Sequence, residues 1–258
     1  MLVDVSAYFG FATPSSFLAL VAAALLGGLV RGFTGFGFAM VFVPIATMSI
    51  GPVGAAGLIW LVDIPFALPL ALSSFKRVAW REVFPLLAGA TVCVPLGVWL
   101  LTSLDPVLSR WIVAISILVA LAALVTGWRY KGAPGVPLSL GVGGLSGTAS
   151  GMAQLGGMPV AIFWLASQNN NPRQTKDNLN GYFALLPGIT GVAYWLSGVL
   201  NWAVFWQALP LCVPYGLAML VGAKLFAFAS EQTFRRIAYL IIGMAAIVAL
   251  PVLDGWIR

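Results

Sequence analysis

GGLVRGFTGFG, residues 27–37, lies inside an apolar stretch that runs from about residue 15 to residue 49. Glycine this dense gives up helix propensity and exposes backbone N–H and C=O groups, which a membrane tolerates only where they are buried in protein or line a cavity. The stretch therefore reads as a helix broken near its centre. A second stretch, GGLSGTASGMA at 143–153 with QLGGMP after it, breaks the apolar run 138–167 in the same way. Laid on each other at an offset of 116, the two match in Gly-Gly-Leu and pair Thr34 with Ser150 and Gly35 with Gly151. CVPLG at 93–97 returns as CVPYG at 212–216, an offset of 119. Chance matches have no reason to keep nearly equal offsets, so the chain reads as two homologous halves, 1–130 and 131–258.

The composition says what surrounds these breaks. Of 258 residues, 61% are hydrophobic and 8% are charged, whereas a soluble domain carries about 25% charged residues. The chain is an all-α polytopic membrane protein. Further apolar segments run over about 52–72, 83–101, 107–127, 179–197, 204–221 and 234–252, too long and too evenly apolar for barrel strands. There is no histidine, which excludes imidazole-ligated zinc and a Ser-His-Asp triad. Cys93 and Cys212 lie in apolar runs and suggest neither a disulfide framework nor a metal site, and no cofactor is expected. With no Lys or Arg before Arg31, the N-terminus lacks the basic flank of a cleaved signal peptide, so the first apolar segment is expected to stay in the mature protein. The net charge of +6 comes from loops beside apolar spans, which fits topology selection and not nucleic acid. Trp80, Trp128 and Trp202 fall at span ends and read as interfacial anchors.

Orientation follows from where the basic residues fall. If every segment crossed the bilayer, the loops on the two sides would carry equal numbers of Lys and Arg. If 15–49 and 138–167 are instead re-entrant hairpins, then Lys76, Arg77, Arg81, Arg129, Lys131, Arg173, Lys176, Lys224, Arg235 and Arg236 all become cytoplasmic, and only Arg110 and Arg258 lie outside. The positive-inside tendency favours the hairpins. Each half is then a Gly-broken re-entrant helix hairpin plus three transmembrane helices, the halves are inverted repeats, and both termini lie outside the cytoplasm of a multi-pass inner-membrane protein. At 1.5 Å per residue, each hairpin would have two arms of about 22 Å.

The breaks are also where chemistry is expected. Half-helix ends facing a cavity offer free N–H donors to an anion. The substrate-binding candidates are Arg31, Gly32, Thr34 and Gly35 in the first break and Ser146, Ser150, Gln154, Gly156 and Gly157 in the second. The competing reading is close helix packing, since Gly28 and Gly32, like Gly143, Gly147 and Gly151, form small-xxx-small faces. A guanidinium this deep costs at least about 2.5 kcal/mol on insertion scales, so Arg31 should face a cavity or pair with Asp63, the only carboxylate of the second span. Asp63 is equally a candidate coupling carboxylate. The polar stretch NNNPRQTKDNLNGYF at 169–183 adds Lys176 near a helix N-terminus as a further anion contact, although a capped cytoplasmic loop would look the same.

At these residues the chain resembles the TauE/SafE family of sulfite exporters, through GGLVRGFTGFGFAMVFVP at 27–44, GGLSGTASGMAQLGGMP at 143–159, and KDNL at 176–179 before Tyr182-Phe183, which brings Asn178 among the candidates. Met152-Ala153-Gln154-Leu155 departs from a more glycine-rich run in the family pattern. The resemblance implies a secondary transporter, an exporter of small sulfur-containing anions such as sulfite or sulfonate, bound between the two broken helices and driven by an ion gradient. The partners implied are a small anion and the lipid bilayer, and a homo-oligomer is compatible with both. A passive anion channel would share this sequence. An intramembrane enzyme would need converging acid, base or nucleophile groups, and Asp63 alone does not supply them.

Overall fold

A computed structural model describes residues 7–35, 37–126, 135–166, 172–225 and 231–253, and among them all regular structure is helical. Nine α-helices follow in order: α1 (Pro14–Thr34), α2 (Phe38–Ser74), α3 (Trp80–Ser103), α4 (Pro106–Thr126), α5 (Val136–Ala153), α6 (Gly157–Ala166), α7 (Pro172–Leu196), α8 (Trp202–Leu225) and α9 (Glu231–Val248). A 3₁₀ turn at Phe75–Arg77 joins α2 to α3. Among the described residues, five stretches are long and apolar enough to cross a membrane: Pro14–Gly32, Phe38–Pro69, Trp80–Ser103, Pro106–Thr126 and Trp202–Leu225.

Local chemistry sets the helix ends. Thr13 caps α1 by accepting from the Ser16 N–H at 3.1 Å, with Pro14 at the first helical position. Asp105 caps α4 through the Val107 N–H at 2.8 Å, and Asn201 caps α8 through the Val204 N–H at 3.1 Å. α1 ends at Gly35, which takes the left-handed conformation (φ 78°) and returns its N–H to the Arg31 carbonyl. α5 ends the same way at Gln154 (φ 56°), with Gln154 N–H on Ser150 O at 3.0 Å and Leu155 N–H on Ala149 O at 3.1 Å. Gly51 (φ 77°, ψ 167°) kinks α2, dividing it where the sequence separates its first two apolar segments.

Both expected breaks are thus present, but the arms are unequal. α1 has 21 residues, about 31 Å, and the arm after it, 38–50, only about 20 Å. α5 has 18 residues and α6 has 10, about 27 and 15 Å. The order of elements repeats: a long first arm, a break, a short arm, a further helix, then the 24-residue α3 and α8, then α4 and α9. The left-handed residues Gly35 and Gln154 stand 119 apart, the offset of CVPLG and CVPYG. At an offset of 119, Arg31 falls on Ser150, and Gly28 and Gly32 fall on Gly147 and Gly151, whereas the Gly-Gly-Leu match at 116 pairs Thr34 with Ser150.

The helices gather into two compact units. One holds α1, α2 as far as Val62, α4 as far as Leu121, α8 and α9; the other holds the rest of α2, α3, the end of α4, α5, α6 and α7. In the first unit α1 packs on α8 through glycine. A Cβ on Gly28 would stand 2.7 Å from the Tyr215 carbonyl, one on Gly32 would land on the Met219 carbonyl, and one on Gly222 on that of Leu29. In the second unit α5 packs on α3: Cβ atoms on Gly143, Gly147 and Gly151 would strike the carbonyls of Leu86, Ala90 and Val94, and Gly97 in turn lies against the Thr148 carbonyl. These glycines let helix backbones touch, which is the packing reading of the small-xxx-small faces. Of the tryptophan anchors, Trp202 is exposed and Trp80 is partly covered by the rings of Phe75 and Phe84, while Trp128 lies outside the described residues.

Candidate functional site

The second break is built by two ladders of side chains spaced four residues apart. Ser146, Ser150 and Gln154 follow one another up α5; Asn178, Tyr182, Leu186, Thr190 and Tyr194 follow up α7. Residues four apart share a helix face, and each of these five α7 side chains is buried. The ladders meet rung by rung. The Tyr182 hydroxyl donates to Ser146 Oγ at 2.8 Å, and Ser146 donates across the break to the Gly156 carbonyl. Ser150 Oγ and Thr190 Oγ1 are 3.1 Å apart, and the Tyr194 hydroxyl donates to the Ser150 carbonyl at 3.2 Å. Thr190 gives its proton to the Leu186 carbonyl, which leaves Ser150 as the donor in that pair. Gly156 sits where a Cβ would press on Ser150 at 2.7 Å, and Gly157 where one would meet the Phe183 ring at 3.0 Å.

Below this ladder, the N-terminal turns of α7 grip the connection between α2 and α3. Arg77 makes a forked pair with Asp177, Nε to Oδ2 at 3.1 Å and Nη2 to Oδ1 at 3.4 Å. Asn178 Oδ1 accepts from the Ala79 N–H at 2.8 Å and from Gln174 Nε2 at 2.9 Å, while its Nδ2 donates to Glu82 at 2.8 Å. Gln174 Nε2 also reaches the Arg77 carbonyl, and Val78 closes over Gly181. Asn178 is thereby fully committed at both ends of its amide. Lys176 is exposed on the same turns.

The first break has the same backbone turn and a different lining. Nothing lies within 4 Å of a Cβ built on Gly35. Gly27 lies under the Phe38 ring, and Phe38 stacks on Tyr215 with centroids 4.2 Å apart. Arg31 is in the last turn of α1, partly exposed, where a cation offsets the partial negative charge of a helix C-terminus. Thr34 closes the helix, and its side chain is outside the described residues. Asp63 lies partly exposed in α2. Outside the family pattern, sequence reasoning did not single out Tyr182, Thr190, Tyr194, Arg77, Glu82, Gln174 or Asp177. The four-residue spacing of polar and aromatic side chains on α7 was the available signal for the first three.

Nine helices of this composition among the described residues, five of them with stretches long and apolar enough to cross a membrane and two ending in left-handed turns, define a multi-pass membrane protein. A protein-family model, the sulfite exporter TauE/SafE, matches residues 20–249. The chain belongs to the TauE/SafE family of sulfite exporters, a family of membrane transporters and not of enzymes. No curated protein and no solved structure matches it.

Proposed function

We propose that the protein is a secondary transporter that exports a small sulfur oxyanion, sulfite or an organosulfonate, and that both broken hairpins contribute contacts along the anion's path. The observation that carries this reading is the recurrence, in an anion-exporter family, of one left-handed helix break at Gly35 and again at Gln154. Broken helices at membrane depth are where transporters hold charged cargo, because backbone groups there lack helix partners. Arg31 supplies the positive charge: its planar fork suits the several acceptor oxygens of a sulfur oxyanion better than an ammonium would. Asp63 is the candidate carboxylate for coupling to a cation gradient.

The reading includes a topology, in which the hairpins are re-entrant, the halves are inverted and both termini lie outside the cytoplasm. In intact cells, a cysteine placed at the exposed Lys76, in protein lacking Cys93 and Cys212, then stays unlabelled by an impermeant reagent. Labelling from outside overturns the inverted arrangement. Transport is tested in proteoliposomes loaded with labelled sulfite: saturable, gradient-dependent efflux supports the exporter, unsaturable flux indicates a channel, and no flux above protein-free vesicles removes sulfite as a substrate.

A further inference from the structure

The ladder beside the second break accounts for its own protons. Tyr182 has given its proton to Ser146, Ser146 to Gly156, Ser150 to Thr190, Thr190 to Leu186 and Tyr194 to Ser150. Neither serine retains a proton for an outside acceptor. One donor is left over: Gln154 Nε2 is shielded from solvent and makes no hydrogen bond within the protein. Its polar neighbour is the Tyr194 hydroxyl, whose own proton goes to Ser150, and that contact is too loose to satisfy the nitrogen. An orphaned amide of this kind is rare, because an unmade hydrogen bond away from water is costly.

The same residue carries a second, independent penalty. Gln154 is the one non-glycine residue with positive φ among the described residues, at 56°. The corresponding residue of the first break is Gly35, which takes the conformation without strain. A side chain is therefore kept where the backbone favours glycine, and its amide nitrogen is left unmatched. Outliers persist where the surroundings hold them for a purpose.

We infer that Gln154 is the ligand that the second break offers to the exported anion, its carboxamide N–H donating to an oxygen of a sulfite or sulfonate group, while Ser146 and Ser150 hold the break together. This rests on the reading of the chain as an exporter of sulfur oxyanions. The chemistry is complementary: a deprotonated sulfur oxyanion presents only acceptor oxygens, and a neutral amide satisfies one of them without burying a second fixed charge. A neutral contact also holds the anion less tightly than a lysine would, as suits a site that must release its cargo.

The test uses purified full-length protein, with sulfite and methanesulfonate as probes, and compares the parent with Gln154→Gly. Glycine relieves the left-handed strain and removes the donor. The expected result is a thermal midpoint equal to or above that of the parent, with affinity for the bound probe lowered about tenfold to a hundredfold, the loss expected for one hydrogen bond to a charged group. Gln154→Leu, which keeps side-chain bulk, is expected to lose affinity to a similar degree. If Gln154→Gly binds like the parent, Gln154 is not the ligand and the inference fails while the exporter reading stands. If Gln154→Gly no longer folds, Gln154 is structural and the inference fails in the same way. If the parent itself binds neither probe, the exporter reading fails and this inference falls with it.

Discussion

The two breaks share a backbone turn and differ in almost every side chain around it. At the offset of 119 that joins Gly35 to Gln154 and Cys93 to Cys212, Gly27 corresponds to Ser146, Arg31 to Ser150, Phe38 to Gly157 and Asp63 to Tyr182. The first half carries the polarity of its apolar segments as charge, in Arg31 and Asp63, and stacks Phe38 on Tyr215 beside its break. The second half carries it as neutral hydrogen bonds, in Ser146, Ser150, Tyr182 and Thr190. On the proposed reading of the halves as copies, the geometry that breaks the helix is kept and the chemistry around it is divided between them. The proposed function then has one ionic contact and one neutral contact that can be tuned separately.

What the halves share should be the most sensitive to change. Gly151→Leu and its counterpart Gly32→Leu push a side chain into the backbone of α3 or α8, where even a Cβ would strike a carbonyl. Overpacking typically costs about 1–3 kcal/mol, and more where the obstacle is backbone. Both variants are expected to lose most folded protein, measured as monodisperse yield in detergent. If one is tolerated, the two seams are not equivalent.

What differs between the halves should show a graded effect. Asn178→Ala leaves the Ala79 N–H and Glu82 without their partner and is expected to destabilise by about 2–3 kcal/mol. The first half has apolar Ile59 at the corresponding position, so Ile59→Val should cost no more than about 1.5 kcal/mol. Denaturant titration of both variants measures the difference. Asp177→Ala should cost less than Asn178→Ala, about 1 kcal/mol, because its partner Arg77 is half exposed and regains water. A similar effect, about 1 kcal/mol, is expected from Gly35→Ala, since a Cβ there meets open space and only the left-handed backbone is strained. If it costs several kcal/mol, the first break is tighter than its open surroundings indicate.

Much of this architecture was legible in the sequence. Apolar runs of helix length located the spans, and the glycine clusters located both breaks, because the bilayer forbids irregular backbone elsewhere. Register was harder. Gly-Gly-Leu aligned by identity at 116, yet the turn that defines the break is set by the left-handed residue, which is glycine in one copy and glutamine in the other. The hydroxyl-bearing candidates were found, but not their commitments. Whether Ser146 donates to a ligand or to Gly156 depends on what α7 brings opposite it, and Tyr182 stood out only as part of the family pattern, with nothing in the sequence to say what its hydroxyl meets. The clamp stayed hidden for the same reason: Arg77 and Asp177 are 100 residues apart in the chain, and loop charges alone also fit topology selection.

Arg31 decides whether the charge in the first break serves the anion. Sulfite affinity is measured on purified parent, Arg31→Lys and Arg31→Ala, each first shown to be folded by its thermal midpoint. Affinity is expected to fall about tenfold to a hundredfold in Arg31→Ala, with Arg31→Lys between it and the parent because charge is kept and the fork is lost. Folded Arg31→Ala that binds sulfite as tightly as the parent would contradict the account and make Arg31 a structural arginine.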